Sequence, residues 1–235
     1  MNKPIGRIDG KVAIVTGGAS GIGEETAVRF AEEGGVVCVG DIDEENGLRV
    51  VERISELGGR AEFIKTDVSE SLQIKNLIQK TEEKFGRLDI LHNNAIWFRH
   101  GSALDLEEDD WDKTLDSGLK SSYLSAKYGI PVMRKNGGGA IVNTASVHSL
   151  VSFETCTAYD AAKAGLLGLT RTLAIDFGPE IRVNAVLPGA ILTPLWDNLE
   201  VPDDERQRYA ALVPAKRLGL GRDVANAVLY LASDE

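Results

Sequence analysis

The chain has 235 residues, 43% of them hydrophobic and 26% charged, and its 26 basic and 36 acidic side chains give a net charge of −10. That length is enough for one large core, so a single domain spanning residues 1–235 is predicted; the acidic balance with dispersed cations argues against nucleic acid as a partner. Charges interrupt every apolar run before membrane-spanning length, and the opening MNKPIGRIDGK lacks the apolar centre of a signal peptide, so a soluble protein with no membrane partner is expected, and the two cysteines without a disulfide framework fit a reducing cytoplasm.

Short β-branched runs alternate with amphipathic stretches along the chain. KVAIVTG is followed by a helix near 22–33, VVCVGD by one near 44–57, and AEFIKTD by one near 70–85. LDILHNN precedes a long helix near 107–134, AIVNTAS a helix near 157–177, and IRVNAVLPG supplies a sixth strand. Strict alternation implies right-handed βαβ crossovers and an α/β fold with a doubly wound parallel (Rossmann-type) sheet, whose ligands sit outside the carboxyl ends of the strands. Cys38 and Cys156 suggest neither a disulfide framework nor a metal knuckle, and His92, His100 and His148 lack ligand spacing, so no metal is expected.

Directly after the first strand, TGGASGIG places Gly17, Gly21 and Gly23 where a tight turn must open a helix, with Thr16, Ser20 and Ile22 around them. Missing Cβ atoms let the backbone approach a pyrophosphate, while unpaired amides and the helix dipole face the anion. Asp41 closes the second strand, where a carboxylate can accept hydrogen bonds from both adenosine ribose hydroxyls. A 2′-phosphate would meet that negative charge with no Arg or Lys in the turn or directly after Asp41, so NAD is predicted over NADP. The plainer reading is that Asp41 caps the following turn.

Tyr159 and Lys163 stand one helical turn apart, so the ammonium is expected to lower the phenol pKa and make Tyr159 an acid or base. Ser146, at a strand end, can hydrogen-bond a substrate oxygen on which charge develops. With TGGASGIG, NNA at Asn93 to Ala95, Ser146, YDAAK at Tyr159 to Lys163, and PGAILTP, the chain from residue 10 onward resembles the short-chain dehydrogenase/reductase family.

The resemblance implies an NAD-dependent oxidoreductase passing a hydride between cofactor and a secondary alcohol or ketone. Tyr159 would transfer the proton, Lys163 would also hold the nicotinamide ribose, and the protein would supply positioning and electrostatics. It further implies that Asp67 and Val68 flank the adenine, that Asn94 lines the cofactor groove, and that Pro188, Gly189, Ile191 and Thr193 meet the nicotinamide amide. The long helix and the Tyr159 helix would pack across a two-fold axis in a homodimer or homotetramer. Trp97, Phe98, Arg99 and His100 after the fourth strand, and Val147, His148 and Ser149 after Ser146, are candidates for lining the substrate site; with Trp196, in a lid spanning 193–213, the mixture suits a sugar or polyol.

Three departures from the family pattern stand out. Gly118 takes the place of an asparagine that normally supports a proton relay, and glycine in a helix interior costs roughly 1 kcal/mol relative to alanine. Ile96 replaces the glycine of NNAG, and the chain ends at LASDE, without the seventh strand of its relatives. Two other functions compete: a 3-oxoacyl carrier-protein reductase, disfavoured by Asp41 and the net charge, and a catalytically impaired dinucleotide-binding regulator, suggested by Gly118 and Ile96.

Overall fold

A computed structural model describes residues 6–198 and 201–235. Its centre is a six-stranded parallel sheet: β1 (Val12–Thr16), β2 (Val36–Asp41), β3 (Arg60–Lys65), β4 (Ile90–Asn93), β5 (Gly139–Thr144) and β6 (Ile181–Val186), in the order β3-β2-β1-β4-β5-β6. The β1 run VAIVT is buried at all five positions. That continuous burial is what a parallel strand covered on both faces requires, and it explains a run of apolar residues without alternation. The register is tied at the amino end of β1 by the buried Asp89, whose carboxylate accepts the Val12 amide at 2.8 Å and pairs with Arg87.

The connecting helices are α1 (Gly21–Glu32), α2 (Glu44–Glu56), α3 (Ser71–Phe85), then α4 (Glu108–Leu115) and α5 (Ser121–Lys135), and finally α6 (Thr157–Phe177). On one face, Ala27, Val28 and Phe30 of α1 pack with the strand residues Ala13, Val15, Val39 and Val142; on the other, Leu77, Ile130 and Met133 pack on Ile14, Leu91 and Ile141. The strand order reverses between β1 and β4, so the ends of these two strands diverge into a crevice.

Two findings depart from the sequence reading. The long helix expected near 107–134 is interrupted: α4 and α5 are joined by a π-helical turn, Asp116–Lys120, that contains Gly118. Beyond residue 189 the sequence yielded only a lid, whereas the chain forms a parallel pair β7 (Ile191–Leu192) and β8 (Gly219–Leu220), helices α7 (Leu195–Asn198) and α8 (Asp203–Leu212), and α9 (Gly221–Ala232). Val224, Val228, Leu229 and Ala232 of α9 complete the core on the α1 face. Their i, i+4, i+5 and i+8 spacing was the available signal. Residues 199–200 of the expected lid, and 1–5 of the expected domain, lie outside the described residues. No described helix is long and apolar enough to cross a membrane.

Candidate active site

The turn between β1 and α1 is built from backbone constraints. Gly17 and Gly21 have φ of +64° and +56°, a region costly for residues with a Cβ. A Cβ on Gly23 would collide with the Gly17 carbonyl oxygen, so the third glycine closes the turn on itself. Ser20 caps α1 without a side-chain bond to the helix amides, which leaves the first-turn N–H groups of α1 for an outside acceptor. These features fit a dinucleotide's pyrophosphate.

Asn94 braces this turn: its side-chain nitrogen donates to the carbonyls of Thr16 and Gly17, each at 3.2 Å, and its amide donates to Thr16 Oγ1. Asp41 has both structural duties, with Oδ2 accepting the Ala19 amide of the glycine turn at 2.9 Å and Oδ1 accepting the Asp43 amide at 3.0 Å. A carboxylate has about four lone-pair sites, so capacity for ribose hydroxyls remains. The neighbouring cations are occupied: Arg49 grips Glu24, Arg53 bridges Glu24 and Glu25, and Lys65 meets Glu44. Asp67 and the buried Val68 follow β3, where Asp67 holds Ser69 in a turn. Pro188 accepts the Val147 amide at 3.1 Å, and Gly189, Ile191 and Thr193 continue past β6, Thr193 lying against Gly21.

Ser146 leaves β5 buried and extended, its hydroxyl oxygen accepting the His148 amide at 3.2 Å. Tyr159 and Lys163 stand on the first turns of α6. The buried Lys163 Nζ donates to the Thr144 carbonyl at 2.5 Å, and burial pulls its pKa from 10.5 down to about 8. Burial raises the Tyr159 phenol above its ordinary value, opposed by a hydrogen bond with Ser146 and assisted by Cys156 and Asp160. The expected lowering by Lys163 is not what this site shows: desolvation of the phenolate is the largest cause and raises it, while Lys163 Nζ sits 5.7 Å from the ring centroid and bonds the Thr144 carbonyl. Tyr159 is therefore held as a phenol, the form that can give a proton.

Of the aromatic residues proposed for the substrate wall, Phe98 packs on Tyr159 with ring centroids 4.6 Å apart. Trp97 does not: its ring lies under Lys113 Nζ at 4.3 Å and its backbone is bonded to Ser117. With Trp97 pinned to Ser117, it is Phe98 that lies against Tyr159. Trp196 is anchored within the lid, its indole N–H donating to the Ile191 carbonyl at 2.6 Å and its ring edge-on to Tyr209. His148 is at the site, edge-on to Tyr159 at 5.2 Å, stacked on Phe153 at 4.5 Å, and bonded through Nδ1 to Asp160 at 2.6 Å.

Phe153, Asp160 and His92 are contributions the sequence did not disclose. His92 is wholly buried beside Lys163 at the end of β4, where burial and that cation push its pKa to about 3 and Nε2 meets Thr144 Oγ1 at 2.8 Å. Asp160 had one legible signal, its place next to Tyr159. Among the described residues, one group has metal-ligand proximity: atoms of His148, Cys156 and Asp160 lie within 4.8 Å of one another. The His148–Asp160 contact is at hydrogen-bond length, and that bond accounts for the pair without an ion.

Comparison with known proteins places these features in a family. The family described as Enoyl-(Acyl carrier protein) reductase matches residues 17–235. An uncharacterized oxidoreductase of Thermotoga maritima is 42% identical over 96% of this chain and 91% of its own length. The 3-oxoacyl-[acyl-carrier-protein] reductase FabG of the same organism is 39% identical, covering 97% of this chain and 93% of its own. A solved structure described as a short-chain dehydrogenase/reductase from Burkholderia xenovorans superposes with a TM-score of 0.92 at 36% identity, covering 97% of this chain and 92% of that one.

Proposed function

Because this chain belongs to the short-chain dehydrogenase/reductase family of oxidoreductases, we propose that it interconverts a secondary alcohol and a ketone with NAD as cofactor, using Ser146, Tyr159 and Lys163 as catalytic residues. The observation that carries this reading is that the three side chains gather past the carboxyl end of β5, Lys163 on the Thr144 carbonyl and Ser146 on Tyr159, while the glycine turn after β1 leaves its helix amides open to a pyrophosphate. When bound, the nicotinamide supplies or accepts the hydride.

The protein's own groups handle the proton and the developing charge. Tyr159, raised by burial, holds the proton at its hydroxyl and gives it to the substrate oxygen in the reducing direction. Ser146 has its oxygen engaged by the His148 amide, so its hydrogen is directed outward to Tyr159 or the substrate oxygen, where it stabilises negative charge. Lys163, anchored at Thr144, keeps a desolvated positive charge behind the phenol that favours phenolate once the proton has moved. Phe98 and Phe153 supply apolar ring surface at the mouth, and His148, oriented by Asp160, offers a polar contact to the rest of the substrate. Gly17, Ser20, Gly21, Ile22, Gly23, Asp41, Asp67, Val68, Asn94, Pro188, Gly189, Ile191 and Thr193 would hold the dinucleotide. A sugar or polyol remains the preferred substrate class, with cyclic alcohols next because of the aromatic rim.

The 39% identity to FabG keeps a 3-oxoacyl thioester as a second reading. One assay separates the two. NADH and NADPH absorbance are followed with sugars, polyols, cyclic alcohols and an acetoacetyl thioester, using Tyr159→Phe as control. NAD-linked oxidation of an alcohol, lost in Tyr159→Phe with NADH binding retained, is expected. Selective NADPH-linked reduction of the thioester would replace it with the second reading.

A further inference from the structure

The two residues that depart from the family pattern beside the cofactor groove fit one another. A Cβ at position 118 would lie 2.8 Å from Ile96 Cδ1, 3.1 Å from Ile96 Cγ1 and 3.5 Å from the Ala162 Cβ. The space that a side chain at 118 would need is thus filled by Ile96, reaching across from the loop after β4. Gly118 lies within the π-helical turn, a widened segment that costs hydrogen-bond geometry and needs outside support. The loop supplies it: the Trp97 amide donates to Ser117 Oγ at 3.0 Å, and Ser117 Oγ donates in turn to the Lys113 carbonyl at 2.7 Å. Helix α6 presses equally closely on the next residue of the turn, since a Cβ on Gly165 would come within 2.8 Å of Leu119.

The π turn is therefore clamped between two elements. One is the loop whose Asn94 and Ala95 brace the glycine turn, Ala95 Cα being 2.9 Å from where a Gly17 Cβ would stand. The other is α6, contacted at Ala162, the residue before Lys163. We infer that Ile96 is a positioning residue, seated on Gly118, that sets the distance between the cofactor bed and the Tyr159–Lys163 helix, and that residues 96 and 118 are a coupled pair in which one large and one absent side chain are required together. This rests on the function proposed above for its catalytic consequence, but the coupling itself is a packing property and can be measured without a substrate.

The test is a double-mutant cycle with Ile96→Gly, Gly118→Asn and the combined variant, read by melting temperature and, with an alcohol found active in the panel, by kcat and KM separately. Gly118→Asn alone should lower Tm and reduce kcat by about 30-fold, because the amide collides with Ile96. Ile96→Gly alone should lower Tm and cut kcat about 10-fold through the void, with KM within about 2-fold. The combined variant should recover both Tm and kcat to within about 3-fold of the parent activity, and Ile96→Val should retain most of it. A milder cycle, Gly118→Ala with Ile96→Ala, serves if the asparagine variant fails to fold. Additive losses in Tm, with no recovery in the combined variant, would overturn the coupling. Recovery of Tm with losses spread equally over kcat and KM would overturn the positioning role. An inactive parent protein whose Tm cycle still shows rescue would strike the proposed function and leave the coupled pair standing.

Discussion

The glycine turn and the first turns of α6 both meet the loop after β4 and are built on opposite principles. Around the turn, polar groups are matched: the Gly17 amide finds Gly40, Ala19 finds Asp41, and Asn94 satisfies two carbonyls at once. Around α6, a lysine and a histidine are buried with fewer partners than they can use. Lys163 has three donors and is bonded to the Thr144 carbonyl, and His92 leaves Nδ1 without a partner. The first region stabilises a shape that a ligand can meet without rearrangement. The second carries a desolvation cost that shifts its titratable groups, bringing Lys163 down to about 8 and His92 to about 3 while raising the Tyr159 phenol.

If that contrast is right, removing the buried charge should affect activity and stability in opposite directions. Lys163→Met keeps the volume and discards the ammonium. We expect kcat to fall about 1,000-fold, within the range that acid–base machinery contributes. The sign of the stability change follows from the lowered pKa: the folded protein binds its Lys163 proton less tightly (about 8) than the unfolded chain (10.5). The penalty is present in full below about pH 8 and is relieved as pH rises from about 8 to 10.5, since the unfolded state binds more protons there. At pH 7 the variant should be more stable by on the order of 1–3 kcal/mol, the lost Thr144 bond offsetting part of the gain. Thermal melts at pH 7 and pH 10 check this; a variant less stable than the parent at pH 7 would contradict the assigned cost.

At the glycine turn the same kind of insult should fail differently. Gly23→Ala sets a Cβ against the Gly17 carbonyl oxygen, an overlap that no side-chain rotation relieves. We expect a loss of about 100-fold in NADH affinity by fluorescence titration, together with a lower melting temperature, because the turn must open to admit the methyl group. Affinity close to the parent's would mean that the turn is not the pyrophosphate seat.

The contrast also explains what could be read from the chain. β-branched runs, glycine spacing and the Tyr–Lys interval are local patterns, and they placed six strands, the turn and α6. What escaped were relations between distant segments. The pairing of Ile96 with Gly118 was visible only as two separate anomalies, because the contact spans 22 positions and depends on the π turn. Phe98 rather than Trp97 reaches Tyr159 because of how one loop is pinned to Ser117, and no periodicity specifies that in an irregular segment. The rise of the Tyr159 pKa, opposite to the direction expected from a neighbouring lysine, is a burial effect that requires the packed structure.

The smallest expected effect tests the element that serves both principles. Asp41 is a brace for the glycine turn and the negative charge at the end of β2, and Asp41→Asn separates the two. An amide oxygen can replace one of the two acceptors now used by Ala19 and Asp43, so a loss of about 1 kcal/mol is expected. The charge, however, disappears entirely, and a 2′-phosphate would no longer be repelled. We expect the preference for NAD over NADP, measured as a ratio of kcat/KM, to fall about 10-fold, a difference of about 1.4 kcal/mol between the cofactors. Because Arg49, Arg53 and Lys65 are engaged with glutamates, the variant should tolerate NADP rather than prefer it. An unchanged ratio with a lowered melting temperature would assign Asp41 to bracing alone and move the selection of cofactor elsewhere along the groove.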